Sequence, residues 1–328
     1  MAEFRTIVNI ESDFRISYRD RVLMLGSCFT DNIGQRLAQA KIPVTINPYG
    51  VLFNPESIAA TIENGLNNKI IEESDLLLNG DLWVNLDFHG SFSSTDKNEA
   101  LAKMNLASQT LNKKLSEATI LFLTFGTAYV YKHLQTNKIV ANCHKLPGTS
   151  FQSYMLTADK IANRYTLLID KLLKQNPNLQ IVFTVSPIRH LRDGAHRNQL
   201  SKSTLLLAID QIVNRFQQAH YFPSYEILLD DLRDYRFYDI DMVHPSSLAI
   251  DYIWQQLRNS CISPSDNQLI DEITKIETAA NHKPINPQSV EFQKFASAQI
   301  DNIKKIAQVH PNLDFSAEIQ HFEQYVKN

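Results

Sequence analysis

Three nearly unbroken apolar runs punctuate the chain: Val22-Leu23-Met24-Leu25, Ala118 to Phe125, and Gln180 to Val185. Short runs of this kind, without polar alternation, belong to strands covered on both faces, as in a parallel sheet between helical layers. Helical spacing fills the intervals. It covers Phe29 to Ala40 (Ile33 and Leu37 on one face), Pro55 to Leu66, Asp96 to Ser116, Thr157 to Gln175, Arg197 to His220 and Ser247 to Arg258. A short extended run, Ile42 to Ile46, ends in the Pro/Gly-bounded loop Asn47-Pro48-Tyr49-Gly50, and Glu226-Ile227-Leu228-Leu229 reads as a last strand. Asp75 to Ser93 has the look of short strands around an Asn79-Gly80-Asp81 turn, and Val130 to Val140 that of a hairpin. Beyond Ser260 the sequence is charged, helix-rich and broken at Pro284, Pro287 and Pro311. The expected organisation is an α/β domain at residues 1–258 and a helical C-terminal appendage at 259–328.

In such a sheet the loops after residues 25, 125 and 185 leave on one side, the side where open α/β sheets bind ligands. The first of them is Gly26-Ser27-Cys28-Phe29-Thr30-Asp31-Asn32, a strand-to-helix turn of the kind that exposes a nucleophile. Ser27 has two readings, a helix cap or a nucleophile. Cys28 also has two: a small inert thiol, or a nucleophile helped by the helix dipole and a nearby imidazole. The second candidate segment is Asp241-Met242-Val243-His244-Pro245. A carboxylate three residues before a histidine can hold one ring nitrogen while the other faces a nucleophile. Asp239 competes for that role, whereas Asp230, Asp231 and Asp234 read as solvated or paired with Arg233 and Arg236.

Composition narrows the possibilities. Of 328 residues 44% are hydrophobic and 20% charged, an ordinary globular balance, and a net charge of −3 gives no footprint for nucleic acid. Cys28, Cys143 and Cys261 are too few and too dispersed for a disulfide framework. Met1 to Ile10 lacks the apolar core of a secretory signal, and no run reaches the length of a membrane span. These features lead to the expectation of a cytoplasmic protein. A metal site from Cys28, Cys143, His144 and His244 ranks last because their spacing matches no usual zinc pattern, so neither a metal nor an organic cofactor is expected.

Leu25 to Asn32 resembles the first block of the SGNH or GDSL hydrolase superfamily, and Asp241-x-x-His244 resembles its last. More closely, the chain is similar to the GSCFA family, a branch named for the Gly26-Ser27-Cys28-Phe29 motif. Asn47-Pro48-Tyr49-Gly50, Phe125-Gly126-Thr127-Ala128, Val140 to Lys145, Thr184 to His190 and Asp231 to Tyr238 fit as well. The resemblance spans roughly residues 20 to 258. It implies a three-layer α/β/α, flavodoxin-like domain.

Position by position, the superfamily serine falls on Cys28 and its preceding aspartate on Ser27. The third block reads Gly126-Thr127-Ala128-Tyr129, without the asparagine that donates to an oxyanion. The resemblance leaves the backbone amides of Cys28 and Gly50 as donors. By loop position, Asn142 or Thr127 is a candidate replacement for the missing amide, and His144 a candidate to polarise a carbonyl, although Asn142 also reads as a strand terminator. Arg189, followed by His190, is placed to hold a substrate carboxylate or phosphate, or else to pair with Asp193 or Asp241. The expected function is an esterase working on an ester or thioester through an acyl-enzyme. Its substrate would be a small-molecule or glycan ester. An acyltransferase and a non-catalytic binding protein are the alternatives, and the sequence leaves the oligomeric state open.

Overall fold

The computed structural model describes residues 6–326; Met1 to Arg5, the first half of the Met1 to Ile10 segment without a secretory core, and the last two residues lie outside the described range. The order runs β1 (Val22–Gly26), α1 (Cys28–Gln39), β2 (Val44–Ile46), α2 (Pro55–Leu66), β3 (Leu77–Asn79), β4 (Leu82–Val84) and α3 (Lys97–Glu117). Then follow β5 (Ile120–Phe125), β6 (Tyr129–His133), β7 (Lys138–Val140), β8 (Phe151–Met155), α4 (Ala158–Gln175), β9 (Gln180–Val185) and α5 (Ala195–Val213). The chain closes with β10 (Ala219–Tyr221), α6 (Ser224–Glu226), α7 (Ser247–Cys261), α8 (Pro264–Asn281), α9 (Val290–Val309) and α10 (Ser316–Glu323).

Five parallel strands form the central sheet in the order β10-β9-β5-β1-β2. Renumbered within the sheet this is 2-1-3-4-5, the flavodoxin-like order, whose topological switch lies between β1 and β5. Alternate residues face opposite layers. Leu23, Leu25, Leu121, Leu123, Ile181 and Phe183 pack under α2 to α5, with Ile58, Met104, Leu168 and Leu205 among their partners. Val22, Met24, Phe122 and Val182 face α1 and α7 through Ile33, Leu37, Ile253 and Leu257. The result is the expected three-layer α/β/α domain. A third core, built from Ile273, Ile276, Ile303, Ile306 and Phe322, holds α8, α9 and α10 together. Among the described residues no helix is long and apolar enough to cross a membrane.

Two sequence expectations shift. Residues 226–229 are not a strand: α6 runs into a π-helical turn, Ile227–Asp231, that buries Ile227 and Leu228 against the α1/α7 side. The last strand is instead Ala219–Tyr221, overlapping the end of the segment read as a helix to His220. It is a three-residue edge strand paired only with β9, too short to show a period, and Phe222-Pro223 stops it because proline has no amide to donate. The hairpin of β6 and β7 gains a third strand, β8, on the other side of β6.

Candidate active site

The turn after β1 is shaped by Gly26, where φ is +153° and a Cβ would collide with the Thr124 carbonyl and side chain of neighbouring β5. Ser27 follows in an extended conformation as the N-cap of α1. Its hydroxyl, 1% exposed, accepts from the Phe29 amide at 3.3 Å. Cys28 is the first helical residue and is half-buried. Burial pushes its thiol above the usual range, with the Asp31 carboxylate adding to the rise and the Cys28 and Phe29 amides opposing it.

Across the opening, Asp241 organises the loop before α7. One carboxylate oxygen accepts from the amides of Val243 and His244, each at 2.9 Å, and the other lies 2.6 Å from His244 Nδ1. These hydrogen bonds, the His244 amide first, hold the Asp241 carboxyl down at about 2. Asp239 does not compete: its carboxylate accepts from the Ile240 amide. A carboxylate at Nδ1 keeps the proton there and leaves the Nε2 lone pair free. His244 Nε2 sits 3.8 Å from Cys28 Sγ. Catalytic contacts in unliganded enzymes are commonly this long.

Other candidates are placed differently. The Gly50 amide is already engaged, donating to Asn47 O at 2.7 Å, and its φ of +78° leaves no room for a Cβ beside His89. Asn47 itself ties the β2 loop to the turn after β1: its Oδ1 accepts from the Gly26 amide and its Nδ2 donates to Asp31. Thr127 shares its hydroxyl between Ser201 and the Tyr129 amide, and its own amide donates to Phe53 O. Asn142 caps the His144 amide, while His144 Nε2 bonds Asn85 O and burial pulls that imidazole down. Among the described residues no hydrogen bond joins Asn142 or His144 to Cys28 or His244, and no three or more His, Cys, Asp or Glu side chains gather to hold a metal. Arg189 pairs with neither Asp193 nor Asp241; its guanidinium lies 5.9 Å from the Tyr238 ring centroid, on the segment leading into the Asp241 loop.

Sequence reasoning missed Lys202. This wholly buried side chain donates to Gly126 O at 2.6 Å and Ser186 O at 2.7 Å, joining the loops that leave β5 and β9. Burial pulls its ammonium down to about 7. The signal was present: Asn198, Ser201, Lys202, Leu205, Ile209 and Ile212 form the inward stripe of α5, and a lysine on that stripe needs a reason. A cleft of about 540 Å³, beside Tyr18, Asp266 and His310, opens at the opposite end of the sheet from Cys28 and His244.

Comparison with known proteins gives a family and structural neighbours of low identity. Two solved esterase structures are similar over 77% of this chain and 99% of theirs, each with a TM-score of 0.32. One is an acetyl esterase mutant with acetate ion, at 12% identity; the other is a carbohydrate esterase family 3 protein from Talaromyces cellulolyticus, at 13%. No match was found among curated proteins. The GSCFA family model matches residues 21–257, and the model of the GSCFA domain protein, C-terminal domain, matches residues 273–328. The chain belongs to the GSCFA family.

Proposed function

We propose that the chain is an SGNH-type esterase whose nucleophile is the thiol of Cys28. The observation that carries this reading is the relay from Asp241 through His244 to Cys28, with separations of 2.6 Å and 3.8 Å. His244 Nε2 takes the thiol proton as sulfur bonds to the carbonyl carbon of an ester or thioester. Collapse of the tetrahedral adduct breaks the bond to the leaving group, which takes the proton from His244. Water then attacks the acyl-cysteine, gives its proton to His244, and releases the acid as the thiol is restored.

Several features support this choice of atom. Ser27 spends its hydroxyl on the helix cap, whereas Cys28 stands at the helix N-terminus beside the imidazole. Because burial favours the thiol over the thiolate, a base is needed, and His244 stands where one is required. The His244 and Asp241 side chains are each 48% exposed, which gives water access to the base and favours hydrolysis over transfer. Arg189, free of a carboxylate partner on its own loop, suits a substrate carrying a negative group.

The test is incubation with p-nitrophenyl acetate, with and without sugar acceptors. Free acetate as the product in both arms supports the esterase. Acetylated sugar would make the protein a transferase, and no reaction at Cys28 would overturn covalent chemistry altogether.

A further inference from the structure

An acyl-transfer site also needs donors aimed at the carbonyl oxygen, and several of those expected from sequence are committed elsewhere. The Gly50 amide closes its own turn, the Gly126 and Thr127 amides both donate to Phe53 O, and the Thr127 hydroxyl bonds Ser201. The register of the sheet shows what does approach. Gly26 of β1 pairs with Thr124 of β5, so Cys28 and Gly126 each follow two residues after that paired level, at the topological switch. Thr124 in turn pairs with Thr184 of β9, whose following loop brings in His190. A Cβ on Gly126 would sit 3.2 Å from His190 Nε2. The imidazole thus covers the Gly126 loop and lies near enough to His244 to feel its charge.

We propose that His190 supplies the side-chain hydrogen bond to the oxyanion formed when Cys28 attacks a carbonyl. This deepens the esterase reading and rests on it. As the sulfur–carbon bond forms and the thiol proton passes to His244, the carbonyl π pair moves onto oxygen. That oxygen accepts the N–H of His190 until the carbonyl re-forms and the leaving group departs with the proton from His244.

The ring is suited to donate rather than to act as a second base. Burial, followed by the charges of Lys202 and His244, lowers His190 to about 4, so it is neutral near pH 7 and keeps one N–H. Its position and that of the loop it covers are both fixed. The His190 amide donates to Asn198 Oδ1 at 2.8 Å, the ring meets Phe53 edge-on with centroids 5.6 Å apart, and Lys202 clamps the carbonyls of Gly126 and Ser186. Preorganisation of this kind is what makes an oxyanion donor effective.

The experiment compares two reactions of Cys28 in wild type, His190→Phe and His190→Gln. Acylation by p-nitrophenyl acetate passes through an oxyanion, whereas alkylation by iodoacetamide displaces iodide and forms none. Loss of one such donor costs ~100- to 1,000-fold. His190→Phe is therefore expected to lose acylation on that scale, mainly in kcat, with the alkylation rate unchanged, and His190→Gln to recover much of it through its side-chain amide. Unchanged acylation in His190→Phe, or an equal fall in both reactions, would overturn the oxyanion role. Wild type that alkylates but never acylates would instead overturn the esterase reading on which it rests.

Discussion

The Cys28 thiol and the His244 imidazole, 216 residues apart in sequence, meet at 3.8 Å across the C-terminal edge of the sheet. The serine beside that thiol is occupied in capping α1. Neighbouring residues should therefore respond in opposite ways to substitution. Cys28→Ala is expected to abolish acylation without unfolding the protein. Ser27→Ala should lose ~1 kcal/mol of stability with the cap and keep the reaction. Thermal unfolding and acetate release on both variants check the pair.

Asp241 makes three hydrogen bonds to its own loop, two of them to backbone amides. Asp241→Asn preserves the shape but presents an amide where the Nδ1 proton needs an acceptor. A fall in kcat of up to ~10,000-fold is expected, the scale seen when a triad aspartate becomes asparagine. Because the folded carboxyl titrates near 2, below its unfolded value, its contribution to loop order is full above the unfolded pKa. It is lost as pH falls toward 2. Amide hydrogen exchange at Val243 and His244 between pH 5 and about 2 should show that loss in wild type and be flat in the variant.

Burial and Asp31 both raise the Cys28 thiol, so without its base it should react only in alkaline solution. In His244→Ala, the pH profile of iodoacetamide alkylation is expected to shift above the ordinary thiol range. Adding Asp31→Asn should bring it part of the way back, since removing a nearby negative charge favours the thiolate. A profile that ignores both substitutions would contradict this reading.

Lys202 is charged inside the protein only below about 7, whereas its unfolded counterpart holds the proton to ~10.4. Between those values the unfolded state binds more protons, so this group makes stability rise with pH across the window. Lys202→Met should remove that slope in denaturant titrations. The same change deletes the positive charge that depresses His190, so the His190 imidazole, followed by NMR, should titrate above its wild-type value of about 4.

A methyl group at Gly126 would lie 3.0 Å from Phe53 O and 3.2 Å from His190 Nε2. Gly126→Ala should cost ~1–3 kcal/mol, the scale of forced overpacking, and weaken acylation more than alkylation. Equal effects on the two reactions would detach Gly126 from the carbonyl-binding side of the site.

Much of this arrangement is written in local pattern. The runs at Val22, Ile120 and Gln180 announce the central strands because residues buried on both faces leave no polar alternation. Asp241 and His244 are legible as a pair because their contact is local, only three residues apart. What stayed hidden is long-range. Thr127 looks free in a sequence, and only the fold shows Ser201 of α5 taking its hydroxyl. Gly50 looks like a spare donor until the turn with Asn47 closes on it. Ala219–Tyr221 is a strand solely by virtue of β9 beside it. Lys202 was the readable omission, since its place on the inward stripe of α5 marks it as buried before any coordinate is known.

The most direct test is intact-mass analysis and peptide mapping after brief exposure to p-nitrophenyl acetate, on wild type, Cys28→Ala and His244→Ala. One acetyl group on the Cys28 peptide, appearing rapidly in wild type and neither in Cys28→Ala nor, at that speed, in His244→Ala, is the expected result. An acetyl group on Ser27, or Cys28 acetylation at the same rate without His244, would contradict a thiol activated by this imidazole.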